Sequence, residues 1–174
     1  MPISAIDSIY FGHMFACSQM SKIFSDQGRF EGWLMMESGL ARGQARVGMI
    51  PQEAADEITE AAKIENIDTD SIIAAYKEKG ARIIPLIHAL VSRVSEETSR
   101  YVHWSSTTQD VIDTGLVLQY RQAIVILEEL LTKLEDVMAD HCETHRNTLM
   151  PGRTVMQQAS PVSFGHQVAV WISE

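Results

Sequence analysis

Cysteine is nearly absent from this sequence, with only Cys17 and Cys142 in 174 residues. The two show no pairing or zinc-ligand spacing, which excludes a disulfide framework and predicts reduced thiols in a cytoplasmic protein. Positive charge is also short, at 14 Lys and Arg against 23 Asp and Glu, a net charge of −9. That balance argues against nucleic acid or an anionic membrane surface as a partner. No Lys or Arg precedes Lys22, and Asp7 stands in the same stretch, so the positive n-region of a signal peptide is missing. No apolar run approaches the ~20 residues that span a bilayer. Strand alternation, internal repeats and low-complexity segments are lacking as well.

What is present is a globular composition, 45% hydrophobic and 21% charged, on a chain long enough to bury a core. Periodicity predicts an all-α protein. Residues 1–24 read as irregular, anchored by Phe11, Met14, Phe15, Met20 and Phe24. Ser25 and Asp26 open a helix that runs to about Val47 and stops at Gly48. Its apolar face is Phe30, Trp33, Leu34, Leu40, Ala41, Ala45 and Val47, and the Gly39/Gly43 spacing predicts a second backbone packed closely there. Further helices are predicted over 51–63, 71–79 (stopped by Gly80) and from Ile84-Pro85, with Leu86, Ile87, Leu90, Val91 and Val94 inward.

From Thr107 one helix continues to about His145, carrying Val117, Tyr120, Ile124, Leu127, Leu131, Leu134 and Met138 at three- and four-residue steps. Ile126 and Leu130 lie off that seam, so the helix needs several neighbours, which predicts self-association. Residues 147–159 read as a loop, and Ser160-Pro161 as the start of a last helix. The pair His141 and His145 lies one turn apart, but without the His-Glu-x-x-His order or a third ligand no metal is predicted.

Chemistry concentrates in Tyr101-Val102-His103-Trp104-Ser105-Ser106-Thr107-Thr108-Gln109-Asp110, where a polar cluster feeds the long helix. Thr107 with Asp110 three residues on fits an N-cap. The same hydroxyls and unpaired N–H groups at a helix start would also receive an anion. A second polar segment, Gly152-Arg153-Thr154-Val155-Met156-Gln157-Gln158, offers a guanidinium and amides suited to a planar carboxylate.

Together the two segments resemble the fumarase/aspartase superfamily, most of all its 3-carboxy-cis,cis-muconate cycloisomerase branch. The matching residues are His103-Trp104, Thr107 to Thr114, and the pattern from Gly152 through Gln158, Pro161 and Phe164-Gly165. Ile23 to Asp26, Glu37 to Ala45 and Ile50-Pro51 are similar to the N-terminal domain of the family. Ser105 stands where the family has glycine, Thr108 where it has serine, and Val155 where most of its lyases carry a proton-transferring histidine.

The resemblance implies a small N-terminal helical domain over 1–105 and the first part of a helical bundle over 106–174. It implies lactonisation of a small polycarboxylate by addition of a carboxylate oxygen across a double bond, without cofactor or metal. A β-eliminating lyase of the adenylosuccinate or argininosuccinate type is the alternative activity, and a helical oligomerisation module the non-enzymatic one. His103 would be the proton donor or electrostatic partner, and Thr107 and Thr108 would stabilise the developing charge. Ser106, Gln109, Asp110, Arg153, Thr154 and Gln158 would bind substrate. Family members are more than twice as long and form tetramers whose active sites join three subunits. Their third motif, a glycine- and serine-rich loop ending Met-Pro-x-Lys, has no counterpart here, so these 174 residues alone are expected to be inactive.

Overall fold

A computed structural model describes residues 4–6, 8–80 and 82–174. It is all-α apart from one hairpin: α1 (Gly12–Phe15), α2 (Ser18–Ile23), α3 (Asp26–Arg46), α4 (Gln52–Ala61), α5 (Thr69–Lys79), α6 (Ile84–Val91), α7 (Glu96–Ser99), α8 (Thr108–Thr144), β1 (Leu149–Thr154), β2 (Gln157–Ser163) and α9 (Phe164–Ile172). Contacts divide the chain into residues 1–123 and 124–174, a division inside α8, whereas the family resemblance implies a domain boundary at 105/106. The N-terminal stretch read as irregular contains α1 and α2, with residues 1–3 and Asp7 outside the described residues.

In the first unit, α3 is set by local chemistry. The Ser25 hydroxyl accepts from the Gly28 N–H (3.1 Å), Asp26 lies in the first turn and Arg46 in the last, and Gly48 leaves the helix at φ 72°. Its inner face is Phe30, Trp33, Leu34 and Ala41, while Val47, expected on that face, is 71% exposed. Against it pack Ala55 and Ile58 of α4, Ile72 of α5, Leu86, Ile87 and Leu90 of α6, and Val111 of α8. Leu34, Ile58, Leu86 and Leu90 are at most 1% exposed, and burying each such side chain is worth about 1.5–3 kcal/mol. Asp68 caps α5 by accepting from the Ser71 N–H (3.3 Å), and Gly80 ends it at φ 67°.

The close backbone approach expected at Gly39 and Gly43 is found elsewhere. A methyl on Gly43 would meet nothing within 4 Å, and one on Gly39 only the Arg42 guanidinium at 3.9 Å. The backbones meet instead at Gly32 and Gly115, where a Cβ on Gly32 would lie 3.0 Å from the Gly115 carbonyl oxygen. Spacing within one helix carries no information about where a helix from a distant part of the chain crosses it.

The second unit corrects the sequence reading most. Residues 149–163, read as a loop and a helix start, form an antiparallel hairpin in which Leu149 pairs with Ser163, Arg153 with Gln158 and Thr154 with Gln157. The opposed Pro151 and Pro161 lack N–H donors and hid the strand pattern, and a bulge falls between Pro151 and Arg153. Because residues 157–163 are taken up by pairing, α9 begins at Phe164, capped by Ser163, whose hydroxyl accepts from the His166 N–H (3.2 Å). Gly165 sits against the end of α8, since a Cβ there would lie 2.5 Å from the Cys142 carbonyl oxygen. His141 stacks on His145, which in turn lies edge-on to Phe164. In this unit α8 exposes Ile124, Val125, Leu127, Leu130, Leu131, Leu134 and Val137. No described helix is long and apolar enough to cross a membrane.

Candidate functional site

Two polar side chains on the buried face of α3 position the segment before α8. Glu37, 1% exposed, shares a 2.7 Å hydrogen bond between its Oε1 and His103 Nδ1. Gln44, two turns further along, donates from Nε2 to the Trp104 carbonyl oxygen at 2.7 Å. At the first anchor and just beyond the second, the backbone is left-handed at two non-glycine residues, His103 (φ 59°) and Ser105 (φ 58°). Ser105 therefore occupies a conformation that glycine adopts without strain, which gives a physical reason for the glycine preferred at this position in the similar superfamily. The other carboxylate oxygen of Glu37, the Gln44 Oε1 and the Ser106 Oγ are buried without a hydrogen-bond partner among the described residues.

The start of α8 is closed by a capping box. The Thr107 N–H and hydroxyl both donate to Asp110 Oδ2 (2.8 and 2.9 Å), and the Asp110 N–H reaches back to the Thr107 Oγ1 at 3.4 Å. Those bonds hold the Asp110 carboxyl below its usual range, the Thr107 N–H contributing most, with the charge of His103 a lesser cause. Burial pushes the Glu37 carboxyl the other way, above its usual range, against the pull of His103. Gln109 donates to Asp113 Oδ1 at 2.6 Å. Thr108, exposed at the first position of the helix, keeps a hydroxyl with no partner among the described residues. The arrangement thus brings His103, Ser106, Thr107, Thr108 and Asp110 to one helix start, with Gln109 turned to Asp113.

The second set of candidates lies on the hairpin, not on a loop. Arg153 and Gln158 are cross-strand partners and share one face, while Thr154 pairs with Gln157 on the opposite face. Their turn is Val155-Met156, both left-handed (φ 36° and 64°) and 88% and 104% exposed.

Glu37 and Gln44 were missed as site residues. The signal was available: both continue the 30, 33, 34, 41 stripe of α3, and a polar residue at a core position demands a partner.

This scaffold and its two polar segments define a class, and the chain belongs to the Lyase family, whose profile matches residues 14–174. It is 41% identical over 162 residues to the 3-carboxy-cis,cis-muconate cycloisomerase of Pseudomonas aeruginosa, covering 91% of this chain and 35% of that protein. It is 30% identical to the adenylosuccinate lyase of Methanocaldococcus jannaschii, over 93% of this chain and 35% of the relative. The crystal structure of the β-carboxy-cis,cis-muconate cycloisomerase from Acinetobacter calcoaceticus superposes with a TM-score of 0.86 at 37% identity, over 92% of this chain and 38% of the other. The chain thus spans little more than a third of the length of these relatives.

Proposed function

We propose that this chain serves a cycloisomerase acting on 3-carboxy-cis,cis-muconate, in which the start of α8 receives a substrate carboxylate. The observation that carries the reading is the helix start itself: His103 is held by a buried carboxylate beside unpaired donors of Thr108 and the first turn. Lactonisation forms a bond between a carboxylate oxygen and an alkene carbon and adds a proton next to another carboxylate. The charge that develops there is stabilised by N–H and O–H donors that need no reorganisation. Thr108 and the first-turn N–H groups supply them, joined by Thr107 as its hydroxyl shifts from Asp110 to the substrate, and His103 handles the proton. Ser106, Gln109 and Asp110 complete the substrate contacts, the Ser106 Oγ from a buried position. Arg153 and Gln158, on one hairpin face, suit a further carboxylate in a bidentate manner, which leaves Thr154 to a separate contact. The relatives named as cycloisomerases support this reading, as does Val155, which cannot move a proton.

The 30% relative named adenylosuccinate lyase favours β-elimination as the second reading. Incubating the product of the complete reading frame with each substrate separates them: consumption of carboxymuconate alone supports the first, fumarate release the second. For the 174 residues themselves, we expect tricarballylate to bind with millimolar affinity, about −4 kcal/mol, weakened by salt. Thr107→Val should abolish that binding and Arg153→Ala weaken it with folding intact. Titrations unchanged in both variants would leave the Thr107 cap as a purely structural device.

We also propose a homo-oligomer, because α8 exposes an apolar stripe on more than one side, and a cytoplasmic location, because Cys17 and Cys142 show no pairing spacing. Light scattering at micromolar concentration is expected to give a dimer or larger; a clean monomer would refute this.

A further inference from the structure

The His103 ring has two nitrogens, and only one is engaged. Nδ1 lies 2.7 Å from Glu37 Oε1, whereas Nε2 has no hydrogen-bond partner among the described residues. Glu37 is 1% exposed and projects from a 21-residue helix whose inner face is otherwise apolar apart from Ser38 and Gln44. The histidine it touches is left-handed at φ 59°, and the next carbonyl, that of Trp104, is fixed by Gln44. A carboxylate in a core position, against a ring on a strained segment, is a costly arrangement for simple packing. A leucine there would bury as well and leave no unpaired Oε2.

We propose that Glu37 is the positioning residue for His103: it accepts the Nδ1–H, fixes that tautomer, and leaves Nε2 as the ring atom offered to the ligand. The logic is that of any orienting carboxylate behind a histidine, in which the partner of one nitrogen decides what the other can do. The two acidic groups bearing on the ring then differ in role. Glu37 grips it from α3, and Asp110, tied to Thr107, supplies only a neighbouring charge from α8. This rests on the carboxylate-site reading for its consequence but not for its geometry.

The test is a two-bond proton–nitrogen NMR spectrum of the wild-type chain, with His103 picked out from the 6 histidines by its loss in His103→Asn. Expected is a proton on Nδ1 at every pH where the chain is folded, with Nε2 the nitrogen that gains and loses its proton. A bare Nδ1 with a protonated Nε2 in the wild type overturns the assignment, whatever any variant does. Glu37→Gln should let the other tautomer appear, and an unchanged spectrum in that folded variant also overturns it. In tricarballylate titrations Glu37→Gln should weaken binding about tenfold, the scale seen when partners that orient ligand histidines are lost. Glu57→Gln, which removes a carboxylate bonded, among the described residues, only to Ser95 and Thr98, should leave binding unchanged. A folded Glu37→Gln that binds as the wild type reduces the pair to a structural contact and defeats the proposal. Absence of binding by the wild type defeats the carboxylate-site reading instead, and the tautomer alone then judges Glu37.

Discussion

Among the described residues, two places hold consecutive or near-consecutive non-glycine residues in left-handed backbone, and they are held very differently. The segment at His103 and Ser105 is gripped from α3 by Glu37 and Gln44, both nearly sealed from solvent. The hairpin tip at Val155 and Met156 has the same kind of strain, and its side chains stand 88% and 104% exposed. At the first place, two buried hydrogen bonds hold the unfavourable conformation in place. At the second, only a two-stranded ladder closes the turn, and such ladders are marginal on their own. A β-branched residue at positive φ makes the tip the more anomalous of the two.

The sharpest way to break the comparison is to release the grip. Glu37→Ala should cost about 3 kcal/mol, combining a lost charge-assisted hydrogen bond with a cavity in the core. Urea unfolding measures this, and a loss below about 1 kcal/mol would mean the segment supports itself as the tip does. The tip should respond with the opposite sign. Replacing Val155-Met156 by Asn-Gly, residues suited to a two-residue turn with both φ positive, should stabilise the chain by about 2 kcal/mol. Ser105→Gly should give less, a gain of about 0.5 kcal/mol, because relief of the left-handed cost is offset by the greater freedom of glycine when unfolded.

The smallest effect is in pH dependence, where the two sides of the His103 segment have opposite signs. Burial raises the Glu37 carboxyl above its usual 4.5, so the native state binds that proton more tightly than the unfolded chain. Its contribution to stability is complete below pH 4.5 and fades as pH rises through the higher folded value. Asp110 and Glu57 are lowered from 3.8 and 4.5 by the hydrogen bonds they accept, from Thr107 and from Thr98 with Ser95 respectively. Their contributions are complete above those values and are lost as pH falls through the lower folded ones. Thermal melts between about pH 3 and pH 8 should show Glu57→Gln flattening the acid limb and Glu37→Gln the rise-side loss. The reverse assignment would contradict the geometry.

How much was legible follows from the range of each interaction. The bounds of α3, the Thr107 cap and the Gly80 stop could be read because each depends on residues three or four apart, whereas α5 begins at Thr69, two residues before the expected start. The motif resemblance located the polar segments for a similar reason, since each is continuous in sequence. The hairpin was illegible because its pairing joins residues up to fourteen apart without Asn-Gly, and its facing prolines read as loop. Glu37 could have been suspected from its place in the α3 stripe, but its partner lies 66 residues away. Gly39 and Gly43 drew attention by spacing, while the glycines that do touch, Gly32 and Gly115, are separated by most of the first unit.

That glycine crossing also acts as a fulcrum. Gly115 lies seven residues, about 10 Å of helix, beyond Thr108, and Gly32 lies five residues before Glu37. The contact point therefore sets the spacing between the arm of α3 that carries the carboxylate and the arm of α8 that begins at the capping box. A single methyl at Gly115 would strike the Trp33 ring at 2.5 Å and lever the two arms apart. The 2.7 Å span from Glu37 to His103 would then stretch with neither residue altered, which tests the proposed positioning role from a distance.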